Sequence, residues 1–375
     1  MKFVLERRDF VDALEWAAPV AETKATKIEL SNVLIRAKSD GLQLLTTNLE
    51  VGMRVKCPAD VQQEGDVAVH AKKLLDLVKK LDSEQISTSL EEGWMAVESE
   101  RSHYRLVTTP PEDVPTPPEH DLSDLIEFPS YVLLEMLERT QFAATNDPAR
   151  PALSGVLFEM TEGEDGHVFK MVATDAHRMC IAQHPWTEEV PTFKNVIPKR
   201  AIREIERLLN NFDKVELGFK EGDVIFKAGK EADVVLNARL VAGEFPDYQR
   251  VIPEPGPNRL IVPVESFIVA LKTLEEVTSR DVPGVKMELE PENVVFSAMN
   301  PSIGGGEEKP ECTYEGEPMT VMFNLKYLLE IAEVMDKESE IVLELTDARR
   351  AARVLQRDEP NFLAIIMPMQ LPEGL

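Results

Sequence analysis

The string VATDAHRMC, Val172–Cys180, holds the residues of this chain best able to do chemistry. Asp175 and His177 stand two apart, and with a distant serine such as Ser154 they fit the composition of a hydrolase triad, in which an imidazole takes a proton and a carboxylate orients it. The surrounding sequence does not supply the rest, because no G-x-S-x-G elbow is present. A polar turn between two apolar strands accounts for the same residues. Phosphate-loop chemistry is also missing: Gly304–Gly306 is not followed by Lys-Ser/Thr, and Gly229-Lys230 lacks the glycine five residues upstream. The six histidines show no H-E-x-x-H pairing. Cys57, Cys180 and Cys312 are odd in number and too far apart for a disulfide framework or a zinc set. The expectation is a protein with no active site, no metal and no cofactor.

The elements that would position such residues are better marked. The chain has 375 residues, 43% hydrophobic and 29% charged, a globular balance too long for one ordinary core. Its longest apolar runs, such as LAIIMPM, are too short to span a bilayer. MKFVLERRDF places charges where a signal peptide needs an apolar stretch, so a cytoplasmic protein is expected. The net charge of −26 argues, taken alone, against nucleic acid, whose binders usually carry a basic footprint.

Two proline-rich stretches, Thr109–Asp121 and Pro253–Asn258, read as linkers and leave three segments of similar size. The segments repeat. VHAKKLLDLVKKL from Val69, IPKRAIREIERLL from Ile197 and FNLKYLLEIAEVM from Phe323 are offset by 128 and 126 residues. The apolar strands ending in Asn48, Asp175 and Asn300 keep step at 127 and 125, and each runs into a turn-forming side chain. A further helix opens each segment, at RDFVDALEWAA, SYVLLEMLERT and ESFIVALKTLEEV. In the first segment, strand, helix and three strands are followed by the same five elements again. The class is α+β, with two helices per segment packed on antiparallel sheets, over 1–121, 125–252 and 257–375.

Two helices run against the acidic background. In the first segment Leu74, Leu75, Val78 and Leu81 form an apolar stripe opposite Lys72, Lys73, Lys79 and Lys80. In the second, Ile202, Ile205 and Leu209 face inward, which turns Lys199, Arg200, Arg203 and Arg207 outward. The third copy is net acidic. A solvated helix face explains either basic stretch alone, whereas recurrence at equivalent places points to a shared electropositive surface.

VATDAHRM, LVAGEFPDYQRVIP and the terminal FLAIIMPMQL occur together, in that order, in a chain of this length that opens on MKF. In this the whole sequence resembles the bacterial sliding clamps, the β subunits of DNA polymerase III. The resemblance implies three clamp domains per chain and a head-to-tail dimeric ring, with helices toward a hole that encircles double-stranded DNA without regard to sequence. It implies DNA contacts by Lys24, Lys72, Lys73, Lys79, Lys80, Asn146, Lys199, Arg200, Arg203 and Arg207. It also implies a pocket for peptides of the polymerase α subunit, the clamp loader and other proteins with a clamp-binding motif, walled by Leu153, Thr174, His177, Arg178, Met179, Pro246, Arg250, Val251, Ile365, Met367, Pro368 and Met369. Tyr104 and Leu106 would oppose Leu274 and Val277 across the dimer interface, with Lys72 and Lys73 alternatively pairing Glu307 or Glu308. SIGGGEEKPE is unlike a regular element and is expected to be mobile. Two features depart from the family: Ala176 replaces the usual glycine of the turn, and PEGL extends past MPMQL, where Pro372–Leu375 would partly shield the pocket. A hydrolase and an acidic scaffold that never meets DNA remain as alternatives.

Overall fold

The alternation that marks MKFVL as a strand gives way at Arg7 to helical spacing, and β1 (Lys2–Glu6) runs directly into α1 (Arg7–Ala17). Phe3 and Leu5 of the strand and Phe10, Ala13, Leu14 and Ala17 of the helix are buried. The rings of Phe3 and Phe10 meet edge-on at 6.3 Å between centroids. The computed structural model describes residues 1–21, 27–163, 166–229, 233–278 and 283–371. None of its helices is long and apolar enough to cross a membrane, among the described residues.

The first segment continues with β2 (Asn32–Lys38), β3 (Gly41–Thr47), β4 (Val51–Cys57), β5 (Asp60–Gln63), β6 (Gly65–His70), α2 (Ala71–Lys80), β7 (Gln85–Glu91), β8 (Trp94–Ser99) and β9 (Ser102–Thr109). The second comprises β10 (Ile126–Pro129), α3 (Ser130–Glu138), β11 (Gly155–Gly163), β12 (Gly166–Thr174), β13 (Arg178–Trp186), β14 (Phe193–Pro198), α4 (Lys199–Asn211), β15 (Lys214–Lys220), β16 (Asp223–Ala228) and β17 (Val234–Arg239). The third comprises β18 (Asn258–Pro263), α5 (Val264–Glu275), β19 (Gly284–Glu290), β20 (Asn293–Asn300), β21 (Gly304–Glu308), β22 (Thr313–Glu315), β23 (Met319–Asn324), α6 (Leu325–Glu333), β24 (Glu340–Leu345), β25 (Ala352–Gln356) and β26 (Phe362–Ile366).

Pairing follows one rule in all three segments. The strand before the first helix joins the three strands that follow the second: β1 pairs β7, β10 pairs β15 and β18 pairs β24. The strand before the second helix joins the three that follow the first: β6 pairs β2, β14 pairs β11 and β23 pairs β19. Each segment therefore makes two exchanged four-stranded meanders. Two junctions link meanders of successive segments, β4 with β17 and β13 with β26. The chain divides into two compact units that follow these continuous sheets: Met1–Leu134 with Arg200–Leu240, and Glu135–Lys199 with Val241–Leu375. The first unit carries a 13-stranded sheet, and the second a 9-stranded and a 4-stranded sheet.

The three landmark turns are built alike. Asn48 Oδ1 accepts from the backbone of Glu50 and Val51, Asp175 Oδ1 from His177 and Arg178, and Asn300 Oδ1 from Ser302. The side chain thus stands in for a backbone carbonyl and closes the turn locally. SIGGGEEKPE departs from expectation: Gly304–Glu308 is strand β21, paired along β20 from Asn300↔Gly304 to Phe296↔Glu308. Glycine has little strand preference of its own, and the ladder to β20 supplies what the local sequence lacks.

Candidate partner pocket and nucleic-acid face

In the second unit, strand register assembles an apolar floor from distant segments. Thr174 lies opposite Met179, and Met179 opposite Ile365. The next row on the same face runs Val196, Leu157, Val172, Ile181 and Leu363, since side chains two apart share a face. Phe245 and Tyr248 pack on this cluster together with the partly buried Leu153, Val241 and Ile252. Tyr248 donates to Glu159 Oε2 at 2.5 Å, and Lys194 Nζ lies 3.3 Å from the other oxygen of that carboxylate. Burial, with the Glu159 carboxylate beside it, pushes the Tyr248 phenol up, so it stays a proton donor.

The floor is almost closed to solvent: Thr174, Met179 and Ile365 are 9%, 4% and 5% exposed. Its rim is open. Val251 is 62% and Met367 45% exposed, His177, Pro246 and Arg250 are exposed, and Pro368 and Met369 are half-buried. The terminal segment is pinned along the rim, with Met367 N donating to His177 O and Met369 N to Met322 O. Pro372–Leu375, expected to shield this site, lie outside the described residues.

Arg178 differs from its expected place on the wall. It is 6% exposed, donating from Nε to Asp175 Oδ2 (3.2 Å), from Nη1 to Glu330 Oε2 (2.5 Å) and from Nη2 to Phe142 O (2.8 Å). Its guanidinium lies 4.2 Å from the Tyr327 ring centroid and 5.1 Å from that of Phe142. A planar fork with aromatic faces on hand suits a buried arginine, and here it fixes the turn that carries His177. Phe142, Tyr327 and Glu330 were missed by sequence reasoning; the only signal is an aromatic residue just inside the helix that follows Asn324, whose side chain caps Tyr327 N. The same bonds occupy Asp175, while Ser154 Oγ donates to Pro151 O. His177 meets Asp175 only through its backbone N–H; among the described residues no hydrogen bond joins its imidazole to Asp175 or Ser154, so a triad is not assembled. Asn146 and Lys199 line a polar cavity of about 580 Å³ with His177 and Arg178. Lys199 is half-buried and reaches Ala144 O; desolvation, then the nearby Arg178 charge, lowers its pKa.

In the first unit, α2 buries Ala71, Leu74 and Val78, and α4 buries Ala201, Ile202, Ile205, Leu208 and Leu209. Lys72, Lys73, Lys79, Lys80, Arg200 and Arg203 are exposed as their spacing predicts. Arg207 departs: it is half-buried, donating to Trp16 O at 2.7 Å and lying 4.8 Å from the Trp16 ring centroid, so it ties α4 to α1. Desolvation lowers its pKa. Lys24 lies outside the described residues. Tyr104 (46% exposed) and the half-buried Leu106 sit on β9, which pairs β8 along its length but β6 only at Thr108 and Thr109. Leu274 is 1% exposed and, with the half-buried Val277, lies beneath Gly306 of β21; Leu274 is core, because β21 covers it.

Threefold α+β repeats whose meanders join edge to edge, with two basic helices, α2 and α4, and an apolar pocket beside the C-terminus, define the sliding-clamp class. The family descriptions for the DNA polymerase III beta subunit match in register: its N-terminal domain over residues 1–118, its central domain over 127–247 and its C-terminal domain over 249–370. The chain belongs to the DNA polymerase III beta subunit family. It is 28% identical to the beta sliding clamp of Vibrio cholerae and 30% to that of Pseudomonas aeruginosa, in each case over 99% of this chain and all of the relative. Among solved structures, the Caulobacter crescentus sliding clamp superposes with a TM-score of 0.93 at 26% identity, and a Pseudomonas aeruginosa clamp bound to griselimycin with 0.90 at 28%; each comparison covers 99% of this chain and all of the other.

Proposed function

We propose that this chain is a cytoplasmic DNA sliding clamp of three domains, 1–121, 125–252 and 257–375, two copies of which close head to tail around duplex DNA and hold replication proteins there without catalysing a reaction. The observation that carries the reading is the count of strand edges. Two of the three kinds of junction between equivalent meanders are made within the chain, β4 with β17 and β13 with β26. By the same rule the third would join β9 to β21. Among the described residues these edges are unpaired along most of β9 and along β21, and an open edge is a template for another chain. A second copy supplying β21 to β9, and receiving β9 on its own β21, gives a closed twofold assembly. Tyr104 and Leu106 lie on one edge, and Leu274 and Val277 support the other from beneath.

Lys24, Lys72, Lys73, Lys79, Lys80, Asn146, Lys199, Arg200, Arg203 and Arg207 form the proposed DNA-facing set, with Arg207 contributing mainly by holding α4. Contacts to phosphate position a protein without reading sequence, which suits a ring that must move. The pocket would take apolar-tipped peptides of the polymerase α subunit, the clamp loader and other motif-bearing proteins, on a floor of Thr174, Met179 and Ile365 within a rim of Leu153, His177, Pro246, Arg250, Val251, Met367, Pro368 and Met369. Flexible methionines let one rim fit several partners.

Retention after loading onto DNA tests the reading. The loaded protein is expected to stay on a closed circle and to leave the same DNA once it is linearised. Equal loss from both templates would overturn encirclement.

A further inference from the structure

The exposed cations of α2 and α4 are not equally free. Lys79 Nζ lies 2.6 Å from Glu15 of α1. Arg200 Nη1 donates to both oxygens of Glu50, at 3.0 and 2.9 Å. Glu50 is held in place, since its backbone donates to Asn48 Oδ1 in the turn that closes β3 onto β4. By contrast Lys72, Lys73, Lys80 and Arg203 are exposed and make no ion pair among the described residues. The six helices carry twelve Lys or Arg and twelve Asp or Glu. A protein of −26 thus has helices that are neutral as a set.

We propose that Glu15 and Glu50 are built-in competitors of DNA phosphate, which occupy Lys79 and Arg200 so that the helices grip the backbone with a reduced set of cations. The proposal rests on the clamp reading, because it concerns the surface that would face DNA. Both pairs are exposed, so solvent screens them and a phosphate can displace the carboxylate. The cation then has an anionic partner before and after each step along the duplex. Carboxylate and phosphate exchange with little net change, which smooths the path for sliding, whereas a permanently free arginine would bind and release phosphate at every step.

The test measures affinity of the full-length dimer for a short labelled duplex as KCl is varied. Glu15→Gln and Glu50→Gln are compared singly and together with wild type and with Glu292→Gln, which makes the same charge change in the exposed β19–β20 turn. Each freed cation that neutralises one phosphate steepens the log–log salt slope by about 0.9. The double variant is therefore expected to steepen by up to about 1.8, and E292Q to keep the wild-type slope. Arg200→Gln added to Glu50→Gln should restore the single-variant slope toward wild type. A double variant whose slope matches E292Q overturns the proposal even where wild type is retained on circles. Loss of wild type from both circular and linear DNA removes the clamp reading with it.

Discussion

The pocket floor of the second unit and the helical faces of the first meet their proposed partners in opposite ways. On the floor, Thr174, Met179 and Ile365 are locked by strand register and nearly dry before any ligand arrives. On α2 and α4 the exposed cations stand in water, and two of them, Lys79 and Arg200, already have carboxylate partners. A site that holds one apolar peptide gains from preorganisation, since less motion is lost on binding. A surface along which a polymer moves gains from the reverse, because contacts that are strong at one position become barriers to the next.

Removing a central group from each region should separate them most sharply. Arg178→Ala leaves Asp175 and Glu330 without their buried partner, and breaking such a pair costs about 3–5 kcal/mol. Urea unfolding is expected to show that loss at an unchanged denaturant slope, with partner-peptide binding falling as the His177 turn loosens. Lys72→Ala with Lys73→Ala should move stability by less than about 0.5 kcal/mol, as exposed substitutions do, while flattening the salt dependence of DNA binding by about 0.9 per lysine. If both variants lost stability equally, the contrast between the two regions would fail.

The next effect is smaller and confined to the pocket. Met367 is exposed on the rim while its backbone holds the terminal segment to His177. Met367→Ala removes side chain without that bond, and a truncated rim contact of this kind costs roughly 1–2 kcal/mol of binding, near tenfold in Kd. Titration calorimetry with a polymerase tail peptide measures it, and retention on circular DNA should not change.

How much of this could be read beforehand follows from the range of each interaction. Leu74 and Val78, or Ile202, Ile205 and Leu209, are set by helical spacing, and all five are buried as that spacing predicts. Asn48, Asp175 and Asn300 act within three residues of themselves, so their turns were legible too. The exchange of β1, β10 and β18 between half-segments was not, because it depends on pairing across long stretches of chain. The site divides the same way. Spacing identified α2 and α4 as basic, yet the carboxylate on Arg200 comes from Glu50, 150 positions away, and Arg178 is buried by Glu330, 152 away. β21 was misread because three glycines give no local strand signal, and its order comes from β20.

The smallest test compares the two turns that introduce these regions. Ala176, beside the pocket, has φ 77°, and Leu49, beside Glu50, has φ 74°. In this left-handed conformation a Cβ costs about 1–2 kcal/mol, whereas glycine adopts it freely but loses roughly 0.5–1 kcal/mol through greater freedom in the unfolded chain. Ala176→Gly and Leu49→Gly should therefore each stabilise by no more than about 1 kcal/mol, read as a higher urea midpoint. Their functional effects should diverge. Arg178 and Met367 hold the pocket turn from outside, so Ala176→Gly is expected to leave peptide affinity unchanged. The Glu50 turn carries one member of an exposed ion pair, and Leu49→Gly gives that carboxylate a looser mount. Its salt slope should shift toward that of Glu50→Gln, and a shift in peptide affinity instead would assign the two turns the wrong way round.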